Sequence, residues 1–136
     1  MKWLLDTNVC VFAIRGKPAE LLRRFEQYPV GALGISTVTL AELRYGADKS
    51  GDPARNHRAL DLFLAPIEIA DFDASAAEYY GKVRTDLEVR GVPIGPLDTM
   101  IAAHALRLAV PLVTNNAREF SRVPGLVTED WTKQET

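Results

Sequence analysis

Cysteine is nearly absent from this chain of 136 residues, since Cys10 is its only instance. A single thiol excludes an intramolecular disulfide framework and a zinc site built from several cysteines. Cys10 lies in an apolar run, which is typical of a small buried hydrophobe. We therefore expect a protein of a reducing compartment, with a cytoplasmic location.

Long apolar runs are also missing. No window approaches the roughly 18 consecutive apolar residues that a membrane span requires, and no export signal precedes the first strand-like stretch. The formal net charge is only −2, so no global basic surface points to nucleic acid. We expect neither membrane insertion nor export, and a nucleic-acid partner would have to bind a local cluster of cations.

The composition itself is that of one folded domain. With 47% hydrophobic and 25% charged residues, the chain predicts one core and one domain over residues 1–136. Short runs of valine, isoleucine and leucine alternate with segments of helical periodicity, which predicts an α/β fold with a mostly parallel central sheet flanked by helices. Strands are predicted at 2–5, 32–36, 67–70, 111–114 and 126–128, and helices at 9–15, 18–28, 37–47, 53–65, 74–90 and 96–108.

Asp6 is the first acidic residue placed where a predicted strand ends. It follows the strand directly in the segment LLDTN, where Thr7 or Asn8 could cap the next helix. Asp6 could equally be a capping or turn residue itself. In open parallel sheets, ligands bind outside the carboxyl ends of the strands, so polar residues at such positions are candidates for a site.

Glu42 belongs to the helix that follows the second predicted strand. Its spacing from Thr39 matches a capping box, which would require the helix to begin late. We favour an earlier start, in which Ser36 or Thr37 caps the helix. Glu42 is then a carboxylate in the helix interior.

Asp98 lies in the first turn of a helix that Pro96 opens. An acid there could simply complement the helix dipole. However, the positions 3, 4, 7 and 11 residues further on are Ile, Ala, Ala and Ala, which places Asp98 at the top of the buried face. A carboxylate at such a position is costly unless something pairs with it.

A fourth polar cluster follows the predicted strand at 111–114, in the segment NNAREF. Asn115 or Asn116 could cap a short helix with Glu119 on its first turn, an arrangement that alone is an ordinary strand-to-helix turn.

Parallel strands bring these four segments to one edge of the sheet. Carboxylates that converge repel one another, and a hard divalent cation removes that repulsion. An oxygen-rich site without a set of histidines or cysteines favours Mg²⁺ or Mn²⁺ over Zn²⁺. Such a site suits hydrolysis of phosphodiester bonds.

Four motifs in order carry a family resemblance: LLDTNV, ISTVTLAEL, GPLDTMIAAHAL and LVTNNAREFSRVPGLVTEDW. Together they resemble the PIN-domain ribonuclease toxins of bacterial VapBC toxin–antitoxin modules, over nearly the whole chain. The resemblance implies a PIN-like fold and an endoribonuclease that depends on Mg²⁺ or Mn²⁺. It also implies a homodimer silenced by a VapB-type antitoxin, whose C-terminal segment enters the active-site groove. Its most similar members cut initiator tRNA in the anticodon stem-loop.

Residue by residue, the resemblance makes Asp6, Glu42 and Asp98 the acidic core that holds the metal and activates water. The fourth acidic position of the family falls on Asn116 or Glu119. Asn116 stands where many relatives have an aspartate and is at best a neutral ligand. Glu119 is therefore the better candidate for the missing charge.

Further residues match the polar surroundings of the family's site. Ser36 matches a small hydroxyl residue at the end of the second strand, and Thr7 and Asn8 match polar residues that shape the site. Leu97 departs from the pattern, because many relatives carry a polar residue before this aspartate.

Several cations are candidates for binding RNA phosphates: Arg15, Lys17 and Arg118. We interpret the lone histidine His104 as structural, and we assign Tyr45 to core or interface burial.

Two other phosphoryl-transfer folds fit poorly. A haloacid dehalogenase phosphatase needs a second aspartate at the position of Asn8, and a receiver module needs a lysine after a later strand. The non-enzymatic alternative is a catalytically degenerate PIN domain that only binds RNA or protein.

Overall fold

The computed structural model describes residues 1–133, which form a five-stranded sheet with helices on both faces. The strands are β1 (Trp3–Leu5), β2 (Leu33–Ser36), β3 (Glu68–Ala70), β4 (Leu112–Val113) and β5 (Thr128–Glu129). The helices are α1 (Thr7–Arg15), α2 (Ala19–Glu26), α3 (Thr37–Asp48), α4 (Pro53–Leu64), α5 (Ala74–Val89), α6 (Pro96–Leu108) and α7 (Ala117–Phe120).

The strand order is β3-β2-β1-β4-β5, and every pairing is parallel. The chain therefore begins at the centre of the sheet, builds outward to β3, and then crosses to the other side of β1 for β4 and β5. This reversal creates a topological switch point between the carboxyl ends of β1 and β4, the place where open α/β sheets bind their ligands.

Each face of the sheet carries its own apolar layer. Successive residues of a strand point to opposite faces, so Leu4 packs with α5 and α6, whereas Leu5 packs with α1 and Trp131. Both leucines are fully buried. Burial on both faces explains why the central strands β1, β2 and β4 are short continuous apolar runs.

The predicted fold class and mostly parallel sheet are confirmed, with element ends that agree to within about three residues. The first helix begins at Thr7 rather than residue 9, because Asp6 caps it. The fifth strand covers Thr128–Glu129 rather than 126–128. None of the described helices combines the length and hydropathy of a transmembrane segment.

Candidate active site

Asp6 lies at the switch point and is 3% exposed. Its Oδ1 accepts a hydrogen bond from the backbone N–H of Val9 at 2.8 Å, which makes Asp6 the N-cap of α1. Of the alternatives left open by the sequence, Asp6 rather than Thr7 or Asn8 is the cap. The carboxylate is oriented by the first turn of the helix that leaves the central strand.

Thr114 holds the other oxygen of Asp6. The Thr114 hydroxyl donates to Asp6 Oδ2 at 2.5 Å. Oγ1 of Thr114 in turn accepts from the backbone N–H of Asn116 at 2.9 Å. Thr114 is fully buried directly after β4. Thr114 was not predicted as a site residue, although it follows a buried strand in the same way as Asp6.

Glu42 lies in the interior of α3, as predicted, because Ser36 caps that helix through the Val38 N–H at 3.1 Å. Glu42 Oε1 accepts from the Thr7 hydroxyl at 2.7 Å. The same hydroxyl oxygen lies 3.2 Å from that of Thr39. Thr7 thus joins the first turn of α1 to the face of α3 that carries Glu42.

Asp98 is half-buried in the first turn of α6, and no hydrogen-bond partner for its carboxylate is found within residues 1–133. Burial, together with the charges of Glu119, Asp6 and Glu42, raises the pKa of Asp98 from 3.8 to about 6. These three acids therefore lie within electrostatic reach of Asp98, which brings all four predicted acidic residues to one place.

The pKa of Asp6 is raised as well, in part by a neighbouring acid. Burial raises its pKa, and Glu42 adds to the effect, while the hydrogen bonds from Thr114 and from the backbone of Val9 and Asn8 oppose it. Donors aimed at a carboxylate favour its charged form. The site therefore combines carboxylates that are fixed as acceptors with mutual electrostatic repulsion.

The two candidates for the fourth acidic position lie side by side. The amide of Asn116 donates to Glu119 Oε2, so Asn116 occupies the N-cap position of α7 without capping it. The negative charge of Glu119 raises the pKa of Asp98. Of the pair, Glu119 supplies the charge and Asn116 orients it.

The chemistry of these side chains fits a hard divalent cation, although no three of them among residues 1–133 form a closed ligand group. Asp98 has no hydrogen bond within residues 1–133 and is repelled by three other acids, so its negative charge is not compensated by these neighbours. Mg²⁺ suits such an open arrangement because it binds through one or two carboxylates and keeps several waters. Asp98, with Asp6 and Glu42 within electrostatic reach, could hold such an ion.

Two predicted supporting residues are directed elsewhere. The side chain of Ser36 is fully buried, where its Oγ caps α3 and lies 2.8 Å from Nδ1 of His104. Asn8 is exposed, and its backbone is what contacts Asp6. The structural role of His104 is confirmed, since it links α6 to the start of α3.

The three cations predicted to contact RNA lie at the surface. Arg15, Lys17 and Arg118 are exposed, and none forms a salt bridge in the part of the chain that the structure describes. Arg15 lines a groove that also contains Thr7 and Glu42. Its contact with RNA stays a prediction.

Comparison with known proteins agrees with this geometry. The PIN domain model matches residues 3–126, most of the chain and all of the acids described above. This chain belongs to the PIN domain family. The endonuclease named tRNA(fMet)-specific endonuclease VapC in Shigella flexneri is 49% identical over 131 residues, covering 96% of this chain and 98% of the relative. Ribonuclease VapC2 of Rickettsia felis is 44% identical over 134 residues, covering 98% of this chain and 100% of the relative.

Solved structures place this PIN domain in the same group. The DNA-bound VapBC of Salmonella typhimurium matches with a TM-score of 0.92 and 44% identity, over 96% of this chain and 98% of that one. VapBC2 of Rickettsia felis, bound to a DNA fragment from its promoter, matches with a TM-score of 0.88 and 42% identity, over 95% and 98%. The resemblance to VapC ribonucleases is thereby confirmed.

Proposed function

We propose that this PIN domain is the toxin of a type II toxin–antitoxin module and hydrolyses phosphodiester bonds of RNA as a divalent-metal-dependent endoribonuclease. The observation that carries the proposal is Asp98, a half-buried carboxylate that has no hydrogen bond within residues 1–133 and whose pKa three further acids raise. Such a charge arrangement is unfavourable in the free protein and becomes favourable when a cation and a phosphate arrive together.

Asp98, Asp6 and Glu42 would hold Mg²⁺ or Mn²⁺. The ion supplies Lewis acidity at the scissile phosphate and lowers the pKa of an attacking water. Thr114 fixes the orientation of Asp6, and Thr7 fixes that of Glu42. Because the donors are already in place, the carboxylates require little reorganisation when the substrate binds.

Glu119 would serve as the fourth acid, with its orientation set by Asn116. As an additional carboxylate near Asp98, it can accept the proton that the attacking water releases, or bind the metal through water.

Initiator tRNA, cut in the anticodon stem-loop, is the substrate we propose. The support is that the Shigella flexneri relative, at 49% identity, is named as a tRNA(fMet)-specific endonuclease. Cations at the rim supply phosphate contacts, for which Arg15, Lys17 and Arg118 are exposed and available.

A VapB-type antitoxin is the partner we propose, in a heteromeric complex in the cytoplasm, with the toxin itself a homodimer. The support is that the Salmonella typhimurium and Rickettsia felis matches are both VapBC assemblies.

The decisive experiment compares Asp6→Asn with the wild type on the anticodon stem-loop of initiator tRNA, in Mg²⁺ and in EDTA. We expect cleavage only by the wild type in Mg²⁺, with the loss in Asp6→Asn about 10²-fold or more. Glu78→Gln, which alters an exposed carboxylate of α5, is the matched control and should cleave normally. Cleavage that persists in EDTA contradicts the metal requirement. Binding without cleavage under all conditions identifies the catalytically degenerate alternative.

Substrate choice is tested separately by mapping RNA 5′ ends after expression of the wild type and of Asp6→Asn. New ends confined to the anticodon loop of initiator tRNA would support the proposed substrate, whereas ends spread over messenger RNA would refute it.

A further inference from the structure

Two arginines join the chain segments next to α6 and α7, the helices that carry Asp98 and Glu119. Arg90, at the C-terminal end of α5, donates from Nη2 to the carbonyl oxygen of Arg122 at 2.5 Å. Arg122, in the turn after α7, donates from Nη1 to the carbonyl oxygen of Pro93 at 3.1 Å. We call Arg90 and Arg122 the arginine clasp. It ties the connection between α5 and α6 to the turn that follows α7.

The connection between α5 and α6 determines where Asp98 lies. Residues 93 and 96 are prolines without an amide hydrogen, so this stretch has few donors with which to bond its neighbours. The carbonyl oxygen of Gly95 accepts from the N–H and the hydroxyl of Thr99, at 2.9 and 2.8 Å. A Cβ built on Gly95 would lie 3.8 Å from Asp98 Oδ2. A shift of the connection therefore moves the first turn of α6 and, with it, the Asp98 carboxylate.

The other end of the clasp belongs to the turn that carries Glu119. The backbone N–H of Arg122 donates to the carbonyl oxygen of Glu119 at 3.2 Å. A helix of only four residues has little stability of its own, so tertiary contacts have to orient α7. One of these is the burial of Phe120 against α5 and α6, and the other is the Arg122 side chain.

Apolar packing and the clasp contribute differently to this geometry. Val92 and Ile94 pack against the same apolar layer as Phe120, but such contacts have no preferred direction. A hydrogen bond from a guanidinium is directional, and its charge strengthens it. Arg90 is itself held by Asp86, one turn earlier in α5, at 2.6 Å. The clasp is therefore the directional link between the two segments.

We propose that Arg90 and Arg122 are positioning residues for RNA cleavage, which fix the separation of Asp98 and Glu119 by holding the segments next to them. The inference rests on the proposed ribonuclease function. Arg122 acts through the backbone of Pro93, and Arg90 acts through the backbone of Arg122. Direct binding of RNA phosphates is the alternative for exposed arginines. The positioning role is favoured because both guanidinium groups already donate to carbonyl oxygens.

The test compares Arg90→Ala, Arg122→Ala, the double variant and the conservative Arg122→Lys with the wild type. Arg84→Ala is the matched control, because Arg84 is another exposed arginine of α5 with an acid four residues further on. Its bonds to Glu88 and to the Tyr80 hydroxyl, at 2.9 and 3.0 Å, stay within α5. For each protein, we measure steady-state cleavage of the labelled anticodon stem-loop in Mg²⁺ over a range of salt concentrations. The dissociation constant for Mn²⁺ is measured without RNA, from the electron paramagnetic resonance signal of the free ion.

We expect Arg122→Ala and Arg90→Ala each to lower kcat about tenfold with KM within about twofold, because the acids are displaced while RNA binding is kept. The Mn²⁺ dissociation constant should rise about threefold or more. The double variant should be within about twofold of the worse single variant, because both arginines hold the same link. Arg122→Lys keeps a donor and should recover most of the lost kcat, and Arg84→Ala should match the wild type in every measurement.

A wild-type kcat in both single variants would overturn the inference. A raised KM with a salt slope of log(kcat/KM) reduced by about 0.7 would also overturn it, because that is the signature of one lost phosphate contact to a single strand. Losses that multiply in the double variant would show that the two arginines act separately, which contradicts the clasp. If Arg122→Ala does not fold, Arg90→Ala and Arg122→Lys decide. If the wild type cleaves no RNA, the proposed function fails on its own, and the Mn²⁺ dissociation constants of the same variants still test the positioning role.

Discussion

Asp98→Asn is expected to destroy the activity of this PIN domain and at the same time to stabilise its metal-free fold. Asp98 has a pKa of about 6 in the folded protein against 3.8 as the ordinary value. A carboxyl whose pKa is raised by folding binds its proton more tightly in the folded state. Stability therefore falls as pH rises from about 4 to about 6, and the full cost is present at neutral pH.

The magnitude follows from the displaced pKa. At about 1.4 kcal/mol for each pH unit, the shift from 3.8 to about 6 corresponds to about 3 kcal/mol. Asp98 is only half-buried, so solvent screening reduces the effect, and the N-terminus of α6 favours the charge by a few tenths of a kcal/mol or more. We expect Asp98→Asn to raise the free energy of unfolding at pH 7.5 by about 1 to 2 kcal/mol.

The assay is urea unfolding in EDTA at pH 4 and at pH 7.5, for the wild type, Asp98→Asn and the control Glu78→Gln. The advantage of Asp98→Asn should be present at pH 7.5 and much smaller at pH 4, where Asp98 is protonated in the folded state and only partly ionised in the unfolded state. Glu78→Gln, on the exposed face of α5, should stay within about 0.5 kcal/mol at either pH. An Asp98→Asn protein that is less stable at pH 7.5, or equally more stable at both pH values, would refute the reasoning.

Three further predictions concern the same region. Mg²⁺ should raise the thermal unfolding midpoint of the wild type and not that of Asp98→Asn, because only the wild type gains a ligand that binds the folded state. Thermal unfolding with and without the ion measures this, and equal shifts in the two proteins would contradict it. Thr114→Val should lower kcat about tenfold or more with little change in KM, because Asp6 loses the donor that orients it, and kinetics against the control Thr128→Val would test it. His104→Leu should cost about 1 to 3 kcal/mol in urea unfolding, since Ser36 loses a buried partner; an unchanged midpoint would be the contrary result.

Local chemistry made much of this fold predictable. Short apolar runs identified the central strands β1, β2 and β4 because both faces of the sheet are buried there. Pro53 and Pro96 marked the starts of two helices because proline suits a first helical turn. The acids were found by one topological rule, that ligand sites lie beyond the carboxyl ends of parallel strands.

Contacts between distant parts of the chain were not predictable. Thr114 holds Asp6 across 108 residues of sequence, and Ser36 pairs with His104 across 68. A hydroxyl side chain can bond with many polar partners, and the sequence does not specify which one it contacts in the fold. Ser36 was therefore assigned to the site only by its resemblance to the family. Tyr45, assigned to core or interface burial, is 63% exposed in the single chain, which excludes the core, while its burial at an interface stays a prediction.

The position of β1 at the centre of the sheet also fixes when activity can first appear. A ribosome completes Asp6 almost at once, whereas Thr114 and Glu119 are made near the end of synthesis, and β4 must then dock beside β1. Until that docking, a growing chain lacks the hydroxyl that aligns Asp6 and the acid that faces Asp98. A proposed toxin built in this order can harm the cell only as a nearly finished molecule, and a chain truncated before residue 112 should be inactive.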